Sequence, residues 1–235
     1  KVGDLLTDLV VARKDNGMIG LLRGRPGRAF TAEETWAVGS GLSALVAGDW
    51  NEDGFTDVAA IRQLGDSPGQ VEFLFGGHGG FTVQPGMQVG ITPIDIATGD
   101  FDNDGHADLM IANNVSQDVA VLLGAGNGTF TLRAEVAVGG AARSLSVADF
   151  DGDDCEDFVV ALSMNGAVVP YFGRCNGTFD RGPQALSGAL SPAGVIAQDF
   201  SGDGIPDVAF ADEVDNMVHV FIKRAGDRFL SLIHI

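Results

Sequence analysis

The sequence predicts an all-β fold made of repeated four-stranded antiparallel blades. An acidic nonapeptide recurs four times between two apolar runs, starting at Asp49, Asp100, Asp149 and Asp199. These starts lie 51, 49 and 50 residues apart, and a fixed period of this size is typical of repeat architectures. The 34 glycines among 235 residues and the apolar content of 45% indicate a folded chain with many turns.

Each period repeats the same order of strand-like segments. A short alternating run precedes the acidic nonapeptide, as in ALVAGD and SLSVADF, and a nearly continuous apolar run such as DLMIA follows it. A third apolar run leads into a glycine-rich turn and a phenylalanine, which we expect to plug the hydrophobic layer where a fourth strand begins. The phenylalanines at this place are Phe30, Phe81, Phe130, Phe179 and Phe229. Four short antiparallel strands in about 50 residues predict the blade of a β-propeller.

The repeats form one predicted domain over residues 1–229, because no change of composition marks a linker within it. About four and a fraction blades fit this length, with a partial blade over 1–41 and blades that start near residues 42, 92, 142 and 193. Residues 230–235 read LSLIHI, which breaks the pattern. We therefore expect this segment to be a non-native or disordered tail outside the fold.

The four acidic nonapeptides, named here by their first residue as the Asp49, Asp100, Asp149 and Asp199 loops, have the ligand pattern of calcium sites. Oxygen-bearing side chains stand at the first, third, fifth and ninth places, and the backbone carbonyl of the seventh place completes the predicted set. Calcium prefers several such hard oxygen ligands. The predicted ligands are Asp49, Asn51, Asp53, Phe55 and Asp57; Asp100, Asp102, Asp104, His106 and Asp108; Asp149, Asp151, Asp153, Cys155 and Asp157; and Asp199, Ser201, Asp203, Ile205 and Asp207.

Two other interpretations of these loops make different demands on the sequence. An EF-hand needs a glutamate at the twelfth place, where this chain has Ala60, Ile111 and Val160, so the EF-hand is excluded. Tight turns also favour Asp, Asn and Gly, but four loops in register favour metal binding. About four calcium sites are expected, and a fifth is incomplete because only Asp4 and Asp8 of its loop are present.

The four loops are not equivalent. Asn51 and Ser201 replace the third-place aspartate, so the predicted calcium affinity is highest for the Asp100 loop, lower for the Asp49 loop and lowest for the Asp199 loop. Asp154 stands where the other loops have glycine, and a left-handed backbone there is expected to carry some strain. An aromatic residue follows the first ligand in each loop, and we expect it to seat the loop on the blade. These residues are Trp50, Phe101, Phe150 and Phe200.

Together, the loops and the glycine-rich turns ending in phenylalanine resemble the FG-GAP (VCBS-like) repeat family, whose best-known members are the integrin α-subunit propellers. The resemblance spans Asp4 to about Phe229. It implies a seven-bladed ring, of which this chain would be a fragment, with calcium loops between the first and second strands of each blade. It also implies that partners dock on the opposite face, where the turns at 62–70, 113–117, 163–166 and 212–216 would lie.

The charge and the motifs limit the function classes. A formal net charge of −18 argues against nucleic acid and anionic membranes as partners. The sequence has no run of 18 apolar residues and no signal-peptide pattern. Calcium loops of this number suit extracellular calcium concentrations. We expect an extracellular or cell-surface calcium-binding module for protein interaction or adhesion.

Catalysis is not expected, because the sequence has no nucleophile elbow, no P-loop and no paired carboxylates outside the loops. Two alternatives to the interaction module stay open. One is a carbohydrate-binding propeller, for which only Trp36 and Tyr171 stand apart from the core pattern as stacking aromatics. The other is a non-catalytic appendage of a larger secreted enzyme.

The two cysteines lie in turns that emerge at the same end of one blade. Cys155 and Cys175 would be separated by two strand widths, about 10 Å, which exceeds the usual Cα distance of about 7 Å in a disulfide unless the loops bend. The sequence therefore leaves both a disulfide and two free thiols open.

Overall fold

The computed structural model describes residues 7–27, 29–31, 33–183, 186, 189–224 and 230–234, and all regular structure in these residues is β. The strands form four four-stranded antiparallel sheets, one three-stranded sheet and one short hairpin. Each large sheet is a meander in which strands consecutive in sequence are neighbours. This arrangement confirms the predicted class, an all-β fold of propeller-type blades.

We number the sheets as blades 1 to 5 in chain order. Blade 1 contains β1 (Leu9–Arg13), β2 (Met18–Leu22), the hairpin of β3 (Gly24–Arg25) and β4 (Ala29–Phe30), and β5 (Glu34–Ala37). Blade 2 contains β6 (Leu42–Gly48), β7 (Asp57–Leu64), β8 (Ser67–Phe75) and β9 (Thr82–Ile91). Blade 3 contains β10 (Pro93–Gly99), β11 (Asp108–Asn113), β12 (Asp118–Gly124) and β13 (Phe130–Ala137).

Blades 4 and 5 follow the same plan. Blade 4 contains β14 (Ala142–Ala148), β15 (Asp157–Leu162), β16 (Ala167–Gly173) and β17 (Phe179–Arg181). Blade 5 contains β18 (Pro192–Gln198), β19 (Asp207–Asp212), β20 (Met217–Ile222) and β21 (Leu230–His234). In blades 2 to 5 the acidic loop joins the first strand to the second.

The expectation that residues 230–235 lie outside the fold is wrong for Leu230–His234. Leu230–His234 form β21, which pairs antiparallel with β20 from Ile222 to His219 as the fourth strand of blade 5. An apolar run suits an outer strand as well as a tail, because strand pairing satisfies the backbone without requiring the polar pattern seen in the other blades.

Neighbouring blades pack face to face, and each pair encloses one apolar cluster. The central residues of the second strands are consecutively apolar because alternate side chains enter the clusters on the two sides of the strand. In β11, for example, Met110 packs toward blade 4 and Ile111 packs toward blade 2. The packed side chains of β7, β11 and β15 therefore belong to two blade interfaces rather than to one central core, whereas those of β19 pack against blade 4 alone among the described residues.

The innermost strands of neighbouring blades are joined by side-chain hydrogen bonds about one repeat apart. Ser43 donates its hydroxyl to the Pro93 carbonyl at 2.8 Å, and the Leu145 amide donates to the Asp95 carboxylate at 3.0 Å. The Ala197 amide donates to the Ser146 hydroxyl at 3.0 Å. Small polar residues on the first strands thus join one blade to the next where the sheets approach most closely.

The phenylalanines at the start of the fourth strands are not all buried in the apolar clusters. Phe81 is buried in the cluster between blades 1 and 2, and Phe130 and Phe179 pack partly buried against the next two clusters. Phe30 is 51% exposed, because it lies in the separate hairpin of β3 and β4 instead of in the sheet of blade 1. The prediction is wrong for Phe30, and Phe229 lies outside the described residues.

Candidate metal centres

Each acidic loop begins after the last residue of a first strand and ends on the first residue of a second strand. The register places Gly99 opposite Asp108, and the same pairing holds for Ala148 and Asp157. Within every loop the fourth and sixth places have positive φ. Their φ values are 55° at Glu52, 85° at Gly54, 58° at Asn103, 89° at Gly105, 80° at Gly152, 66° at Asp154, 80° at Gly202 and 86° at Gly204.

These two left-handed places coil the backbone around the first aspartate. Asp100 accepts hydrogen bonds from the amides of Asp104 and Gly105, at 3.1 Å and 3.0 Å. Asp104 in turn accepts from the amide of His106 at 2.9 Å. The same pattern recurs in the other loops. The φ of 66° confirms the expected left-handed backbone at Asp154, whereas the left-handed fourth place was not foreseen from the sequence.

The ninth aspartate of each loop is buried and fastens the loop to its blade. In blade 3 the two oxygens of Asp108 accept from the Phe101 amide at 2.8 Å and from the Gly124 amide at 2.7 Å. Because Gly124 ends the third strand, this carboxylate joins the loop to two strands at once. The equivalent bonds are made by Asp57, Asp157 and Asp207.

The first, third and ninth aspartates converge in two of the loops. Asp100, Asp102 and Asp108 each place an oxygen within 4.8 Å of the others, and so do Asp149, Asp151 and Asp157. Of the sequence-predicted side chains, the fifth-place aspartates stand outside these two groups. Three carboxylate oxygens at this separation can share one cation, and the two groups are therefore candidate metal centres.

Burial and mutual repulsion disfavour charge on these carboxylates when no cation is bound. Burial, opposed by the two backbone hydrogen bonds and reinforced by Asp100 and Asp102, raises the pKa of Asp108 to about 6. Burial likewise raises the pKa of Asp157 to about 7, with Asp149 and Asp151 adding to the effect. The pKa values of Asp102 and Asp151 are also raised, first by burial and then by neighbouring aspartates.

One carboxylate oxygen fits a bound cation directly. Oδ1 of Asp102 is buried, and the described residues provide it with no hydrogen-bond partner. An unsatisfied buried oxygen that belongs to a charged group is costly, and a cation held together with Asp100 and Asp108 would satisfy it. The donor set, carboxylates on a short turn, is the set that hard cations prefer.

The Asp49 and Asp199 loops have the same backbone but fewer charges. In the Asp49 loop Asn51 donates its amide to Asp53 at 2.9 Å. In the Asp199 loop Asp199 and Ser201 are exposed, and backbone hydrogen bonds from Gly204, Gly202 and Asp203 lower the pKa of Asp199 despite an opposing effect of burial. Asp8 accepts from the Gly24 amide at 2.9 Å, and Asp4 lies outside the described residues.

A third acidic group, Asp212, Asp215 and His219, lies at the opposite end of blade 5 and was not identified from the sequence. Burial alone would raise the pKa of Asp212, but backbone hydrogen bonds from Leu190, Ser191, Val214 and Asp215 together lower it. Its two oxygens are thus occupied in shaping the turn. In the sequence this group is marked only by two aspartates close together, Asp212 and Asp215, and aspartates are also common in ordinary turns.

Cys155 and Cys175 form a disulfide with a Cα–Cα distance of 5.0 Å. The separation of two strand widths does not apply, because the Asp149 loop and the glycine-rich turn bend toward each other above the sheet. The bond therefore joins the seventh place of the Asp149 loop to the turn between the third and fourth strands of the same blade.

The aromatic residues set apart in the sequence belong to the packed interior. Tyr171 is buried and stacks on Phe158 with ring centroids 4.6 Å apart. Trp36 is partly buried and packs edge-on against Phe81 with centroids 5.1 Å apart. Trp50, Phe101 and Phe150 are each 1% exposed and confirm the expected seating role, whereas Phe200 is 44% exposed because no further sheet covers it among the described residues.

The blades and their acidic loops define the class of this protein, a propeller-type repeat protein with candidate metal loops between the first and second strands. Residues 100–160 and 149–210 match the sequence model of the FG-GAP-like repeat. Residues 100–210 thus carry FG-GAP-like repeats, which confirms the resemblance drawn from the motifs. No curated protein matches the chain. Within the described residues, no helix has the length and apolar character needed to cross a membrane.

Proposed function

We propose that this protein is a calcium-binding propeller module that acts outside the cell in protein interaction or adhesion. The observation that carries the proposal is the convergence of three aspartates in each of the Asp100 and Asp149 loops, within 4.8 Å. FG-GAP-like repeats support an interaction role, and the absence of nitrogen or sulfur side chains from both groups favours a hard cation. The seventh-place carbonyls of Phe55, His106, Cys155 and Ile205 are proposed to complete the four sites.

Calcium titration by calorimetry, together with melting curves in calcium and in a chelator, tests this proposal. Binding to the native state raises the melting temperature by mass action. We expect two stronger sites, in the Asp100 and Asp149 loops, and a melting temperature that falls on chelation. Magnesium serves as the matched control, since it requires a rigid octahedral set and retains its waters. Equal midpoints in calcium and chelator, with no binding heat, would refute the proposal.

The partner face is proposed to be the end of the blades opposite the acidic loops. The turns between second and third strands each carry an exposed apolar side chain there. These are Leu64 at 37%, Val115 at 57%, Met164 at 80% and Val214 at 60% exposure. Single exposed apolar residues are ordinary, but one per blade at the same place in four successive blades presents a row suited to a protein surface.

A photo-crosslinking amino acid introduced in place of either Met164 or Gly54 tests which face of the blades binds a partner. We expect a crosslinker at the Met164 position to capture a protein partner in extracellular fluid, and Val115→Ser in the same chain, which removes a neighbouring member of the row, to weaken this crosslink. Gly54, at the tip of the Asp49 loop, should give none. Crosslinking from Gly54 alone would place the partner on the loop face. A lectin has no specific support, because Trp36 and Tyr171 are packed in the interior.

A further inference from the structure

Successive blades touch at their acidic loops, and one contact between blades 3 and 4 involves a carboxylate absent from the predicted ligand set. Glu156 occupies the eighth place of the Asp149 loop, yet its side chain reaches back to blade 3. Its Oε2 accepts a hydrogen bond from the Asp100 amide at 2.8 Å. The eighth places of the other loops hold Thr56, Ala107 and Pro206, none of which carries a carboxylate.

The contact is accommodated by a glycine that precedes the Asp100 loop. A Cβ built on Gly99 would lie 1.8 Å from Oε2 of Glu156, so any larger residue would displace this carboxylate. Glu156 is partly buried and makes no ion pair with a cationic side chain among the described residues. Its carboxylate therefore faces the Asp100 loop without a positive partner from the part of the chain that the structure describes.

Two further contacts hold blade 4 against the same loop. The Gly177 amide donates to the Phe101 carbonyl at 2.8 Å, and the Asn103 side-chain amide donates to the Asp154 carbonyl at 3.2 Å. The disulfide fixes Cys155, next to Glu156, to the turn that contains Gly177. All three contacts are thus made by residues in the two turns of blade 4 that the disulfide joins.

We propose that Glu156 is a positioning residue for the metal site of the neighbouring blade, which it orients by holding the Asp100 amide. This inference rests on the proposed function. Asp100 supplies the first ligand of its loop, and fixing its backbone fixes the direction of its carboxylate relative to Asp102 and Asp108. The affinity of the Asp100 loop is therefore set in part by blade 4.

Calcium titration of Glu156→Ala and Glu156→Gln tests the assignment, since Gln retains an oxygen acceptor but lacks the charge. We expect Glu156→Ala to weaken the strongest site about tenfold, as loss of a charge-assisted hydrogen bond would, and Glu156→Gln to restore most of this loss. Asp66→Ala, which removes an exposed carboxylate from the opposite end of blade 2, is the matched control and should leave the affinity unchanged.

The effect is assigned to the Asp100 loop by a double-mutant cycle with Asp102→Ala. In that background Glu156→Ala should cause no further loss of the calcium-dependent rise in melting temperature. Unchanged affinity in Glu156→Ala, or equal weakening by Ala and Gln, would overturn the positioning role while leaving calcium binding intact. A parent protein that binds no calcium would overturn both this inference and the proposed function.

Discussion

The ninth aspartate and the third aspartate of a loop have different roles. Both oxygens of Asp108 accept backbone hydrogen bonds, so this residue would hold the loop in shape with or without an ion. Asp102 has an oxygen with no partner among the described residues. The third place is therefore where the loops differ most in their capacity for a cation.

Substitutions at the third place should show how the calcium affinities of the loops differ. We expect Asp102→Ala and Asp151→Ala each to weaken one calcium site by tenfold or more, because each removes a carboxylate from a group of three. Ser201→Ala, at the same place in the Asp199 loop, is the matched control and should change calcium binding by less than about twofold. Calorimetric titration of the three variants measures these effects. Equal losses in all three would contradict the predicted order of affinities.

At the scale of single elements, the turn of blade 4 is constrained covalently. The disulfide between Cys155 and Cys175 closes a segment with a sequence separation of 20 residues. A crosslink of this span stabilises the folded state by about 3 kcal/mol in the chain-entropy account. The Asp149 loop is thereby held closed whether or not it contains a cation.

Removal of this crosslink should destabilise blade 4. We expect the double variant Cys155→Ser and Cys175→Ser to lose about 3 kcal/mol in the free energy of unfolding, measured by denaturant titration in calcium. Treatment of the parent with a reductant should produce the same loss, and the reductant should have no effect on the double variant. A reductant effect of equal size in both proteins would exclude the disulfide as its source.

The outer strand of blade 5 offers a second test at this scale. Leu230–His234 pair with β20, so a chain that ends at residue 229 loses these backbone hydrogen bonds. At about 0.5 to 1.5 kcal/mol for each bond, the melting temperature should fall by about 5 °C or more. Calorimetric melting of the two chains makes the comparison, and an unchanged midpoint would favour the interpretation of the segment as a tail.

For the whole molecule, the crowded carboxylates make stability depend on pH and on cations together. The pKa values of Asp108 and Asp157, about 6 and about 7, lie above their ordinary value of 3.8. Between the ordinary and the raised values the folded protein binds more protons than the unfolded one. Its stability therefore decreases as the pH rises through this window, and the loss is complete above pH 7.

The melting temperature in chelator should accordingly be higher at pH 5 than at pH 7.5. The raised pKa of His106, caused first by its hydrogen bond to Glu52, acts in the same direction, since its stabilisation is lost as the pH rises. Saturating calcium should abolish or reverse the trend, because the cation binds the deprotonated carboxylates. Melting curves at both pH values, with and without calcium, test this. A chelated protein that is more stable at pH 7.5 would contradict the assigned pKa shifts.

The repeating pattern made much of the architecture predictable from the sequence. Alternating and continuous apolar runs are local signals that reflect which faces of a strand are buried, and loops recurring about every 50 residues mark where each first strand turns into the second. The ligand-bearing places followed from the same repeat. The interior position of Trp36 did not, because the other described blades have no aromatic residue at its place. Tyr171, by contrast, has an aromatic counterpart in Phe221 of blade 5, which pairs with Val208 as Tyr171 pairs with Phe158.

What the sequence by itself determined is the blade, its strand order and the identity of the aspartates in each loop, because all of these depend on residues close together in the chain. Only the tertiary structure decided that the first, third and ninth aspartates converge without the fifth, that Cys155 and Cys175 approach to 5.0 Å, and that Glu156 holds the Asp100 amide across a blade boundary. Each of these depends on how loops bend above the sheets and how neighbouring blades pack, and contacts between residues about 50 positions apart leave no local pattern in the chain.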